Sequence, residues 1–179
     1  MKETKKMKEL IQKAKLHDKQ AFTELMQLCM QDLYKTAIAI LMNEEDAADA
    51  IQDTLLSCWE KLSTLKKEQY FKTWLTRILI NHCYRIRRKN RQELQLTCET
   101  VQEECIREPS DFKELLSVLD EKYRVPMYLY YGQEYRIAEI AKLLRMPQST
   151  IQTRLQRGRE QLADHYNKAK EDETHGTME

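Results

Sequence analysis

Three clusters of side chains in this sequence have types and spacings that could do chemistry. The first is acidic. In DAADAIQDTLLSCWEKL, Asp46, Asp49 and Asp53 stand at i, i+3 and i+7, on one face of a helix with Gln52 beside them. Such a face can dock a basic partner helix, remain a plain solvated surface, or hold a divalent cation as in helical hydrolases. The metal option lacks a second helix with matching carboxylates or a Glu-x-x-His pair, and His82 stands alone on a basic helix. The second cluster is FKTWLTRILINHCYRIRRKNR, where cations mixed with aromatics suit unpaired nucleic acid: charges track phosphates and rings accept bases. Lys72, Arg77, Asn81, Tyr84, Arg85, Arg88 and Arg91 can point outward. Solvation is the plain alternative for the arginines, and core packing is the preferred role for Phe71 and Trp74.

The third cluster lies in RIAEIAKLLRMPQSTIQTRLQRGREQL. Ile137, Ile140, Ala141 and Leu144 form the inner face of a short helix. Arg145-Met146-Pro147 interrupts it, and Gln148, Ser149 and Thr150 open another, with Ser149 a candidate N-cap. Two short helices around a tight turn, with small Ala141 at their crossing, fit a helix-turn-helix. Gln148, Ser149, Gln152, Thr153, Arg154, Gln156 and Arg157 face outward on the second helix. Gln pairs bidentately with adenine and Arg with guanine, while hydroxyls and Arg also reach phosphates. A helical hairpin with a polar face is the plain alternative.

The elements that must hold these clusters are helical. Among 179 residues there are only 3 Gly and 3 Pro, too few for a fold with many tight turns. Apolar residues recur at helical steps over Asp18–Met42 (Phe22, Leu25, Leu28/Cys29, Leu33, Ala37, Ile40/Leu41). Asn43 can cap the acidic helix, whose first turn carries Glu44, Glu45 and Asp46 where the helix dipole favours anions. A loop, Ser63–Tyr70, leads to the basic helix, expected to end near Arg91. Pro126 should start or kink a helix in the second half, whose first core residues are read as Leu115, Leu116, Leu119, Tyr123, Met127 and Tyr130/Tyr131. The expected architecture is all-α: an N-terminal helical bundle (1–91), an acidic linker (92–110), a C-terminal helix-turn-helix domain (111–168) and a frayed polar tail (169–179).

Charge supports two separate surfaces. Lys+Arg 30 against Asp+Glu 29 nearly cancel, yet the signs come in blocks. Six acidic and no basic residues lie in 43–60, and seven basic and no acidic in 71–91. Two basic patches on two domains suit a long anion such as DNA. The longest apolar-leaning stretch, Leu33 to Met42, is interrupted by Lys35 and Thr36 and is far below the ~20 residues that span a bilayer. MKETKKMKEL lacks the apolar core of a signal peptide. Five cysteines without a C-x-x-C spacing read as reduced, buried or incidental thiols in a cytoplasmic chain.

Taken in order, the three clusters resemble the bacterial sigma factors of the extracytoplasmic-function group, the minimal two-domain initiation factors of RNA polymerase. DAADAIQDTLLSCW is similar to the family stretch DAEDLVQETFLRAW; FKTWLTRI matches its Phe-x-x-Trp-Leu-x-Arg-Ile helix; TIQTRLQRGR matches its C-terminal Thr-Val-Lys-Ser-Arg-Leu-x-Arg-Ala-Arg. The resemblance implies a division of labour. Asp46, Asp49, Gln52 and Asp53 would dock on basic helices of core RNA polymerase. The Ser63–Tyr70 loop with Lys72, Arg77, Asn81, Tyr84, Arg85 and Arg88 would hold the opened −10 element of promoter DNA. Gln148, Ser149, Gln152, Thr153, Arg154 and Arg157 would read the −35 element in the major groove. It implies no catalysis, no cofactor, no metal, no small-molecule substrate and no membrane insertion, and control by an anti-sigma factor. The rivals are a stand-alone helix-turn-helix regulator and a helical metal-dependent hydrolase built on Asp46, Asp49 and Asp53. Against the family pattern, Arg136 replaces a capping Ser or Thr, so that cap must come from elsewhere. Arg145 replaces a turn Gly, and Gly158 replaces a helix-interior Ala at a cost of roughly 1 kcal/mol. Gln152 replaces a common Lys, trading a phosphate charge for base reading.

Overall fold

The computed structural model describes residues 2–97 and 111–175, with side chains described over 6–92 and 112–168. The chain divides into two compact units, residues 1–102 and 103–179. Among the described residues there is no strand. The first unit packs α1 (Lys2–Lys15), α2 (Lys19–Leu41), α3 (Glu44–Lys61) and α4 (Phe71–Thr97), with short 3₁₀ turns at Leu62–Thr64 and Glu68–Tyr70 between the last two. The second packs α5 (Asp111–Ser117), α6 (Glu121–Met127), a π turn at Tyr128–Gly132, α7 (Ile137–Leu144) and α8 (Gln148–His175).

Caps fix where the first-unit helices begin. The Asp18 carboxylate accepts from the Ala21 N–H at 3.0 Å and starts α2; Asn43 Oδ1 accepts from the Asp46 N–H at 2.9 Å and starts α3, as its position in the sequence suggests. From α2, Leu25, Cys29, Leu33 and Ala37 enter the core; α3 adds Ala47, Ala50, Ile51 and Cys58; α4 adds Phe71, Leu75, Leu79 and Cys83. Thr54, enclosed among them, donates its hydroxyl to the Ala50 carbonyl at 2.6 Å, so burial leaves no orphan donor.

Sequence and structure part at several places. Helix α1 is missing from the sequence reading, although Leu10, Ile11 and Ala14 are buried against the bundle. Met7, Leu10, Ile11 and Ala14 fall at i, i+3, i+4 and i+7, but six lysines hide that narrow stripe. Helix α4 runs past Arg91 to Thr97 because Gln92, Glu93, Leu94 and Gln95 are helix formers. The expected linker otherwise falls on 98–110, outside the described residues. Helix α8 likewise continues beyond 168 to His175, and the last tail residues, 176–179, are also outside them.

The second-unit core is also displaced from its expected register. Leu116, Leu119, Tyr123 and Met127 are buried as read, but Leu115 and Tyr131 are more than half exposed and Tyr128 and Leu129 take the interior. Pro126, without an N–H, weakens the α6 ladder, and the next turn widens so that the Gln133 N–H donates to the Tyr128 carbonyl at 3.2 Å. That extra residue per turn rotates the tyrosines relative to an α-helical count. Ser149 is not the N-cap of α8: the helix opens at Gln148, with the Ile151 N–H on the Pro147 carbonyl at 3.2 Å, which leaves Ser149 inside the first turn.

Candidate docking and nucleic-acid interface

In α3 the buried alanines Ala47 and Ala50, with Ile51, Thr54 and Cys58, commit one face to the core and turn the acidic residues outward. Asp49 and Gln52 are exposed, and Asp46 and Asp53 are half-buried. The latter two lean toward α4. Arg85 donates Nη2 to Asp53 Oδ2 at 2.6 Å, and Asn90 donates Nδ2 to Asp46 Oδ2 at 2.8 Å. His82 sits in the same seam, its Nε2 3.0 Å from the Ser57 hydroxyl and its Nδ1 3.8 Å from Asp53 Oδ2. Burial holds the His82 pKa below its ordinary value; Arg85 and Lys61 push the same way and Asp53 opposes them. The seam therefore favours neutral histidine. Thus His82, read as standing alone, belongs to a network with the acidic helix. The spacing within either helix could not reveal this, because the partners come from different helices.

The same geometry bears on the metal reading. Asp53 is held by a guanidinium and Asp46 by an amide, and no group of three His, Cys, Asp or Glu side chains among the described residues is arranged to hold a metal ion. Among the described residues the three aspartates share a helix face without converging on one point.

On α4, at about 100° per residue, Arg77, Asn81, Tyr84, Arg85 and Arg88 fall within an arc of about 100°. All except half-buried Tyr84 are exposed. The structure brings these five together. Lys72 lies on another face, where it pairs with Asp32 at 3.8 Å. Phe71 is core, 1% exposed; Trp74 is half-buried with its ring 6.1 Å from that of Phe71. The buried thiols of Cys29, Cys58 and Cys83 are pushed up to about 11, 12 and 12 by desolvation, so they stay protonated.

In the second unit α7 and α8 meet across Arg145-Met146-Pro147. Arg145 is left-handed, φ 55 and ψ 46, and the Met146 N–H donates to the Ala141 carbonyl at 2.9 Å, closing the end of α7. No side chain caps the first turn of α7 at Arg136; only the other half of a capping box is present, in which Glu139 accepts from the Arg136 N–H at 2.9 Å. Ile151, Leu155 and Gly158 bury one side of α8 and expose Gln148, Ser149, Gln152, Thr153 and Arg157 on the other. Arg154 sits half-buried at the border. Gly158 lets α8 pack closely on α6: a Cβ there would lie 2.8 Å from Met127 Cγ.

Known proteins match this arrangement along most of its length. The family described as sigma-70 region 2 matches residues 25–93, and sigma-70 region 4 matches residues 110–162. The chain belongs to the sigma-70 family of RNA polymerase sigma factors. It falls in the extracytoplasmic-function group. The sigma factor SigW of Bacillus subtilis is 26% identical over 176 residues, covering 87% of this chain and 94% of SigW. SigV of the same organism is 25% identical, covering 78% of this chain and 89% of SigV. Among solved structures, the sigma factor RpoE of Bartonella quintana, in complex with the anti-sigma factor NepR, superposes with a TM-score of 0.71 at 26% identity. That match covers 80% of this chain and 94% of RpoE. The region 2 match thus lies within the first unit and the region 4 match within the second, and the family role is non-enzymatic: promoter-specific transcription initiation. No helix among the described residues is long and apolar enough to cross a membrane.

Proposed function

We propose that this sigma factor divides its work between three exposed helix stripes. Asp46, Asp49, Gln52 and Asp53 on α3 dock on a basic surface of core RNA polymerase. Arg77, Asn81, Tyr84, Arg85 and Arg88 on α4, with Lys72 and the adjoining loop, hold the unpaired −10 strand. Gln148, Ser149, Gln152, Thr153, Arg154 and Arg157 on α8 read the −35 duplex. Residues 1–91 then form the docking and melting domain and 111–168 the −35 domain, joined by an acidic 92–110 segment; the chain works in the cytoplasm under an anti-sigma factor. Melting needs no covalent chemistry, because a factor that binds unpaired −10 DNA better than duplex shifts the equilibrium toward the open form.

The observation that carries this reading is that one α4 stripe presents three arginines and an asparagine to solvent, with half-buried Tyr84 at its edge, beside the acidic α3 face. A polymerase docked on α3 would deliver the DNA strand to α4. The test is transcription in vitro from sheared genomic DNA of the source organism, with core polymerase with and without this chain, reading RNA 5′ ends. New starts sharing two spaced upstream elements are expected. Starts that do not depend on the protein would shift the assignment to a polymerase-independent DNA binder. Asp49→Arg with Gln52→Arg should abolish holoenzyme formation at unchanged helicity. These positions are chosen because an arginine at 53 would also repel Arg85.

A further inference from the structure

The exposed stripe of α3 is not uniformly polar. At about 100° per residue, Glu45, Asp49, Gln52, Asp53, Leu56 and Glu60 fall within an arc of about 100°. Leu56 is at its middle and 59% exposed, with Gln52 one turn before it and Glu60 one turn after. Beside it stands Trp59, half-buried, whose ring meets Phe22 edge-on at 4.9 Å and His17 at 5.5 Å. A single exposed leucine needs no explanation by itself. Here its surroundings supply one: an apolar centre flanked along the stripe by carboxylates and an amide has the anatomy of a binding hot spot, where polar neighbours shield the centre from water.

We propose that Leu56, backed by half-buried Trp59, is the apolar anchor of the polymerase-docking face. This rests on the reading that α3 docks on core polymerase. The two kinds of group do different work. The carboxylates steer a basic partner and are screened by salt; the leucine adds affinity by leaving water, which salt of this strength hardly changes. Charge selects the occupant: even with Asp53 paired to Arg85, three further carboxylates (Glu45, Asp49 and Glu60) repel DNA and anionic lipid, so the face fits a cationic helical surface of the polymerase. The stems of its Lys or Arg side chains, or a gap between them, cover the leucine. Affinity and steering therefore sit on different residues of one stripe.

The test measures binding of the full chain to core polymerase by fluorescence anisotropy over a series of salt concentrations. It uses the parent chain, Leu56→Ala, Leu56→Met and Asp49→Asn. Leu56→Ala should weaken binding about 30-fold at every salt concentration and leave the salt slope unchanged. Leu56→Met should stay within about threefold, and Asp49→Asn should flatten the slope. Circular dichroism should be the same for all four, because the changes are at exposed positions. Parental affinity in Leu56→Ala with a flattened slope in Asp49→Asn would overturn the anchor and leave the docking reading standing. Parental behaviour of both would overturn the docking reading itself. If sedimentation shows that Leu56→Ala instead dissolves a dimer of the free chain while polymerase affinity holds, the face belongs to a second copy and the anchor is overturned.

Discussion

Neutral His82 is what the seam between α3 and α4 accommodates, and this links stability to pH. Burial, then Arg85 and Lys61, hold its folded pKa below the ordinary value against the pull of Asp53. The unfolded chain, with a histidine near 6.5, therefore binds more protons in the window below that value. Its contribution to stability is full above the unfolded pKa and is lost as pH falls toward the folded one. Urea midpoints at pH 7.5 and 5.5 should show a larger drop for the parent than for His82→Asn; equal drops would acquit His82. The Arg85–Asp53 pair is more exposed and, at about 0–1 kcal/mol for such pairs, serves geometry more than stability. On α8, both Arg157 and Gln152 are exposed. Arg157→Ala should weaken −35 duplex binding and reduce the slope of log K against log salt by about one unit. An unchanged slope would take Arg157 off the phosphates. The residue types at all of these positions were legible in the sequence; their partners across helices were not.

Helices decide which of those residues act together. The capping positions Asp18 and Asn43 and the three-to-four-residue apolar steps of α2 and α3 are local signals, and they place those helices where the chain has them. Helix α1 escaped because its apolar stripe is narrow and lysine-rich, and its stability comes from packing on α2 rather than from a conspicuous pattern. The second-unit register escaped because a π turn has no signal in helical periodicity: its extra residue puts Tyr128 and Leu129 inside where an α-helical count does not. Gly158 likewise looks costly in isolation, at roughly 1 kcal/mol against alanine. Its Cβ, however, would press on Met127 Cγ at 2.8 Å and on Tyr123 Cβ at 3.3 Å. Overpacking at about 1–3 kcal/mol outweighs the propensity gain, so Gly158→Ala should destabilise by about 1 kcal/mol in urea titrations. In a Met127→Ala background the same change should stabilise. A Gly158→Ala protein more stable than its parent would show that α6 and α8 move apart at little cost. Arg145 is strained for a similar reason: the turn between α7 and α8 demands a left-handed residue, whatever stands there.

At the scale of the whole molecule, the two units have separate cores, one around Leu25, Leu79 and Phe71, the other around Leu129, Ile140 and Ile151. Calorimetry should therefore resolve two transitions, with Leu79→Ala lowering one by about 2–5 kcal/mol and Leu129→Ala the other. A single transition lowered by both substitutions would mean that the units unfold as one. The sequence by itself determined the helical class, the two halves, the acid, base and helix-turn-helix clusters and the family they resemble. Those properties are written in composition, charge blocks and periodicity, which act over a few turns of chain. Only the tertiary structure decided that Asp46 and Asp53 are tied to Asn90 and Arg85, that His82 is held neutral, and that Lys72 pairs with Asp32. It alone left Leu56 uncovered at the centre of the acidic face. Such outcomes depend on which helix lies against which, a choice made by burying apolar stripes whose residues are distant in sequence.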